Sequence, residues 1–282
     1  MKLGFFGINM APLVSPAAMA QAAQAAETAG FESLWTGEHV VLIDPREPPS
    51  PAQPLTAFVD TVAALAFLAS CTESIKLASG IILLPQRNPV VLAKELAGVD
   101  ILSGGRLIVG VGVGYVPGEY DAIGVPFEER GARGTEHIKV MKALWTQDKP
   151  EFAGRFTSFS GIQSRPQPVQ RPHPPVVVGG ASPAAYRRAV AHADGFYGFA
   201  QTVEATAATI EGLKEAGGSV ERPEELGDLE LTITPPGAVD KAMVDAYAEL
   251  GVDRLVLLGG RTEDSDETVG FLERTASELG FA

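Results

Sequence analysis

Eight times along the chain a short, almost wholly apolar stretch is followed by a longer helical one. No other feature constrains the fold as strongly. The apolar stretches read KLGFFGI, FESLWTG, IKLASGIILLP, RLIVGVGVG, PPVVVGG, DGFYGFA, ELTITPP and VDRLVLLGG. Strands this short and this continuously apolar are buried on both faces, as in a parallel sheet covered by helices. The segments between them carry helix signals. In SPAAMAQAAQAAETAG, Ser15 suits the N-cap, Pro16 the first helical position and Gly30 a left-handed stop. Asn88 and Pro89 open another helix, which Ser103, Gly104 and Gly105 close. An Ala-rich helix is predicted from about Thr56 to Ser70, and GTEHIKVMKALWTQ sets Ile138, Met141 and Trp145 on one stripe.

Eight such units in 282 residues predict an α/β chain folded as a (β/α)8 TIM barrel, a fold that takes about 250 residues. An open doubly wound sheet is the rival. Gly110, Gly112 and Gly114 follow Gly-x-Gly-x-Gly, which is not the spacing of its dinucleotide fingerprint. No repeat or linker divides the chain, so one domain over residues 1–282 is expected. An insertion at about residues 148–174 precedes the fifth strand, and EFAGRFTSFSG within it resembles a hairpin.

A formal net charge of −13 argues against nucleic acid or an anionic membrane as the partner. The start of the chain imitates a secretory signal, but Asn9 and Pro12 interrupt its apolar stretch. With no apolar run long enough to span a bilayer, a cytoplasmic protein is expected. The single cysteine, Cys71, lies in an apolar run and reads as a buried, inert thiol. His39, His137, His173 and His192 form no metal-binding pattern, so no metal is expected. No Gly-x-Ser-x-Gly elbow supports a serine nucleophile.

In such a barrel the chemistry gathers where strands end at the C-terminal face. SLWTGEHVV runs out of an apolar strand directly into Glu38 and His39, which therefore sit at the mouth. Gly80, Gly112, Gly114, Gly179 and Gly180 stand at the ends of the third, fourth and fifth strands. Each suits a turn, or a backbone that a flat or phosphorylated ligand approaches closely. A helix starting just after Gly180, with Ser182 as its cap, offers free N–H groups to an anion. Trp35 fits either a pocket wall or the core.

Four blocks then resemble a known family: LWTGEH, IKLASGIILLPQRNPVVLAKELAGVDILSGGRLIVGVGVGY, GEYDAIGVPFEERGARGTEHIKVMKALW and PPVVVGGASPAAYRRAVAHADGF. Together they are similar to the luciferase-like monooxygenase superfamily, in particular its branch that uses the deazaflavin coenzyme F420. The resemblance runs in order from Met1 to about Phe196. It implies the same barrel, with the same insertion before the fifth strand. It places His39 and Glu38 beside the coenzyme's reactive ring and Glu119 near the substrate, these three being the expected catalytic residues. It implies a bulge with a non-proline cis peptide at Gly80–Ile81 against one face of the ring. Gly112 and Gly114 would pass under the ring system, and Gly179, Gly180 and Ser182 would meet the phosphate end. Basic contacts to the anionic tail are not clearly matched; Arg87, Arg130, Arg133, Arg187 and Arg188 are the candidates.

The implied reaction is hydride transfer between F420 and a small-molecule substrate, with the His39 imidazole moving a proton. An alternative within the superfamily is an FMN monooxygenase that uses reduced flavin and O2. A partner reductase for flavin or F420 would then supply the reduced cofactor. A non-catalytic deazaflavin carrier is a third reading. Relatives commonly pair through barrel helices, and the Ala-rich helix near residues 56–70 suits a homodimer.

Overall fold

A computed structural model describes residues 1–259 and 264–280. Gly260, expected at the end of the eighth strand, lies outside the described residues. Eight strands form the barrel: β1 (Lys2–Phe6), β2 (Ser33–Thr36), β3 (Lys76–Ser79), β4 (Leu107–Gly112), β5 (Val176–Gly179), β6 (Gly195–Gly198), β7 (Glu230–Ile233) and β8 (Arg254–Leu258). Each pairs in parallel with its successor, and β1 pairs with β8 through Gly4 and Val256, so the sheet closes. A two-residue segment, Ile82–Leu83, adds a pairing onto the end of β4.

Side-chain alternation sorts each strand. Trp35, Ala78, Ile108, Val177, Tyr197 and Val256 point inward and fill the barrel, with Phe6 and Ile81 packed on top of them. The residues between them, such as Leu34, Leu77, Val109, Val178 and Leu255, face the helices and join one large outer core. Trp35 is fully buried and stacks on Tyr197 at 5.0 Å, with its indole N–H donated to Ser33 Oγ at 2.9 Å. It is a core residue.

Nine helices are described: α1 (Pro16–Thr28), α2 (Thr61–Cys71), α3 (Pro89–Leu102), α4 (Pro117–Ile123), α5 (Arg130–Thr146), α6 (Pro183–His192), α7 (Val203–Gly217), α8 (Lys241–Glu249) and α9 (Ser265–Leu279). Ser15 caps α1 by accepting from Ala18 N, Asn88 caps α3, and Gly30 takes a φ of 86°, as the residue types imply. Two expectations change. The second helix begins at Thr61 and not near Thr56, because Asp60 accepts from Ala63 N while Phe58 pairs back onto Met10. The segment after β4 is less irregular than its composition suggests and contains α4. The insertion carries the expected hairpin, Phe152–Ala153 against Ser158–Phe159. Cys71 is half-buried, and burial raises its thiol pKa.

The loop from α2 to β3 is held by one carboxylate. Glu27, near the end of α1, accepts from the backbone N–H groups of Glu73, Ser74 and Ile75 and from the Ser74 hydroxyl. Burial pulls its pKa upward, but these bonds outweigh burial and hold it at about 2 against an ordinary 4.5. The stabilisation is complete above about pH 4.5 and is lost as pH falls towards 2. Glu27→Gln is expected to cost about 1 kcal/mol at neutral pH, the low end for charged hydrogen bonds because solvent screens this group. Urea melts at pH 7 and pH 3 check it: the difference between variant and wild type should shrink at the lower pH.

Candidate active site at the barrel mouth

The chain leaves β2 at Thr36, and a fully buried amide fixes where it goes. Asn9 donates from Nδ2 to the carbonyls of Gly37 (2.9 Å) and Val59 (2.7 Å), and its Oδ1 accepts from Gly37 N at 2.8 Å. The Thr61 hydroxyl donates to the same Gly37 carbonyl at 3.1 Å. With Gly37 clamped from both sides, the next two residues have defined places on the rim.

His39, after β2, and Glu119, after β4, are brought together on that rim. Nδ1 of His39 is 2.6 Å from Oε1 of Glu119, with the imidazole 13 % exposed and the carboxylate 1 %. Glu119 lies in the first turn of α4. Its neighbour Tyr120 is fully buried, donates its hydroxyl to the Val113 carbonyl and packs edge-on against Phe127, which fastens α4 to the barrel. The second oxygen of Glu119 accepts from Gln86 Nε2 at 3.2 Å. A carboxylate accepts only, so this arrangement puts the proton of a neutral His39 on Nδ1 and leaves the Nε2 lone pair free. The tautomer is assigned from the hydrogen-bond pattern.

Glu38 turns the other way. Its Oε1 accepts from Leu83 N (3.0 Å) and Arg87 Nε (3.2 Å), and its Oε2 from Arg87 Nη2 (3.0 Å). Arg87 also meets Asp60 at 2.7 Å. This buried carboxylate ties the turn after β3 to the end of β2. Glu38 is thus held by Leu83 N and Arg87, while Glu119 is the imidazole's hydrogen-bond partner.

Gly112 and Gly179 share a neighbour, Ile81. The Gly80–Ile81 peptide is cis, as the resemblance implied, and Gly80 N donates to Thr36 O at 2.8 Å. A methyl group on Gly112 would lie 2.0 Å from Ile81 Cδ1, and one on Gly179 would lie 2.8 Å from it. Both glycines thus vacate the space that Ile81 fills, and Ile81 is half-buried against the residues inside the barrel. Gly114, with φ of 66°, turns the chain against the Tyr120 ring. Gly180, with φ of 142°, leads to the exposed start of α6, where Ser182 Oγ accepts from Ala185 N at 3.3 Å.

Of the five arginines, Arg87 is committed to two acids and Arg133 to Glu129 at 2.8 Å. Arg130 covers the Phe127 ring at 3.7 Å. Arg187 is exposed on α6. Arg188 is buried, donates to Thr135 Oγ1 and the Gly131 carbonyl, and makes no ion pair among the described residues. Burial lowers its pKa.

Sequence reasoning missed four residues that build this site. Asn9 is a polar residue inside an apolar run, and that is its signal; Gln86, at the polar end of a run, has none. Phe58 and Tyr115 set their rings edge-on to His39, at 5.6 and 6.4 Å, and give the mouth an apolar wall. The remaining histidines lie elsewhere. His137 Nδ1 donates to the Leu84 carbonyl in α5's packing face, and His173 Nδ1 donates to the Pro174 carbonyl. Burial lowers the pKa of both, and also that of His192 at the end of α6. Among the described residues no three His, Cys, Asp or Glu side chains gather as a metal site would require, and no helix is long and apolar enough to cross a membrane.

In a closed parallel barrel, active sites sit at the C-terminal mouth, which is where this imidazole–carboxylate pair lies. Residues 4–279 match the family model for luciferase-like monooxygenases, and the chain belongs to that family. Its members are oxidoreductases or monooxygenases that use FMN or F420. An uncharacterized Mycobacterium tuberculosis protein is 31 % identical over 277 residues, which is 94 % of each chain. An FMNH2-dependent dimethylsulfone monooxygenase of Pseudomonas putida is 37 % identical over 150 residues, 52 % of this chain and 41 % of that protein's length. The solved F420-dependent secondary alcohol dehydrogenase, in complex with an F420-acetone adduct, has the same fold. Its TM-score is 0.80 at 17 % identity over 99 % of this chain and 98 % of that one.

Proposed function

We propose that the chain is an F420-dependent oxidoreductase that acts on a small organic substrate, working as one barrel domain. When bound, the deazaflavin supplies two-electron chemistry as a hydride donor or acceptor at a ring carbon. The residues present suit such a ring. Ile81, following Gly80 and backed by Gly112 and Gly179, makes a flat floor that a Cβ on either glycine would disturb. Gly114 borders that floor. The exposed start of α6, with Gly180, Ser182 and its free N–H groups, suits the anionic end. Arg187 and Arg188 lie on the same helix and make no ion pair among the described residues.

The observation that carries the reading is the His39–Glu119 pair at 2.6 Å. Interconverting an alcohol and a carbonyl moves one hydride and one proton. His39 handles the proton: its free Nε2 takes it from the substrate hydroxyl, or as imidazolium returns it to a carbonyl oxygen. Glu119 holds the ring in place and stabilises the imidazolium that forms. Phe58 and Tyr115 keep water away from the exchange.

The P. putida relative favours a second reading, an FMN monooxygenase supplied with reduced flavin by a partner reductase. Oxygen separates the two. The F420 reading expects substrate-dependent oxidation or reduction of the coenzyme under strict anaerobiosis, with no oxygen uptake in air. Oxygen uptake that requires reduced FMN and substrate, with no anaerobic F420 turnover, would replace it by the second.

A further inference from the structure

One oxygen at the mouth has no partner. Gln86 ends the short 3-10 turn Leu84–Gln86 that follows Ile82–Leu83, and it is 8 % exposed. Its Nε2 donates to Glu119 Oε2, while its Oε1 is buried and makes no hydrogen bond among the described residues. A buried carbonyl left without a donor is destabilising, because it has given up its bonds to water for nothing. Turning the amide over offers no escape, because Oε1 would then face a carboxylate oxygen, acceptor against acceptor. The orientation is therefore imposed by Glu119, and an oxygen is left unsatisfied to keep an N–H on that carboxylate. Proteins tolerate such local conflicts chiefly where function demands them.

The N–H has a consequence two groups away. Among the described residues Glu119 accepts from two groups, Gln86 on Oε2 and His39 on Oε1. Without Gln86, Oε2 of Glu119 loses its anchor and the carboxylate can turn away from Nδ1. The neutral imidazole, keeping its single proton, would then populate the Nε2–H tautomer as well, with no lone pair on Nε2. We propose that Gln86 is a positioning residue: by holding Glu119 as an acceptor on both oxygens, it fixes His39 as the Nδ1–H tautomer. The catalytic meaning of this rests on the proposed function, but the tautomer belongs to the protein alone and can be read without coenzyme.

The test is long-range proton–nitrogen correlation NMR on the nitrogen-15-labelled full chain without added coenzyme, at about pH 8.5, where the nitrogen shifts separate the two neutral tautomers. The His39 signals are those that vanish in His39→Gln. Wild type should show Nδ1–H. Gln86→Met, close in length but without a donor, should show a mixture containing Nε2–H. Gln86→Asn, which withdraws the amide by one methylene, should move the same way and stands in if the Met variant does not fold. With a substrate in hand, either variant should lower kcat by roughly ten-fold at unchanged KM. Wild type with Nε2–H, or Nδ1–H undisturbed in a folded Gln86 variant, overturns the proposal. A tautomer shift in a protein that binds neither F420 nor FMN would uphold Gln86's role and remove the proposed function instead.

Discussion

His39→Ala is expected to lower turnover by about 10² to 10⁴-fold, the usual weight of one acid–base group, while coenzyme affinity changes little. The two effects separate because the imidazole and the floor are built independently. His39 is carried by the end of β2 and aligned by Glu119 from α4, whereas the floor is Ile81 backed by Gly112 and Gly179. Removing the ring leaves Glu119 with Gln86 as its donor among the described residues and opens space beside Phe58 and Tyr115, without touching the floor. Steady-state kinetics paired with a fluorescence titration reads both quantities on one preparation. Turnover within two-fold of wild type would mean that His39 is only a polar residue at a strand end, and that another group moves the proton.

The largest loss of stability is expected at a glycine that the coenzyme need not touch. A methyl group on Gly110, in the middle of β4, would lie 1.9 Å from the Ser79 carbonyl oxygen. That oxygen is backbone at the end of β3, and the Ser79 hydroxyl already donates to the Gly110 carbonyl at 2.8 Å. Neither strand can retreat without breaking barrel pairing, so Gly110→Ala should cost about 3 kcal/mol or more, at or beyond the upper end of ordinary overpacking. The contrast with Gly112 is instructive, since there the obstructing atom is the tip of Ile81. Gly112→Ala should therefore keep much of its stability and lose coenzyme affinity. Chemical denaturation of the two variants tests the distinction. Equal stabilities would show that β3 and β4 have more freedom than their packing implies.

The barrel was legible because its signals are local and repeated: short apolar strands, capped helices and turn glycines at regular intervals. Helix starts were less legible where a competing long-range contact decides, as at residues 56–60, where Phe58 pairs with Met10. The site divides in the same way. His39 could be placed at the mouth from its position after β2. Its partner could not be chosen between Glu38 and Glu119, because that depends on α4 folding back across the rim and on Arg87 claiming Glu38. Trp35 illustrates the limit from the other side: an indole at a strand end suits wall and core equally until the opposing Tyr197 is known. Gln86 carried no visible signal, since its importance lies in one hydrogen bond made and one left unmade.

The central claim is that this mouth takes the deazaflavin in preference to the flavin. A parallel titration of the purified protein with F420 and FMN, read by coenzyme fluorescence, tests it most directly. Tighter binding of F420, weakened for that ligand by Gly112→Ala, is the predicted result. Equal affinities, or tighter binding of FMN, would contradict it.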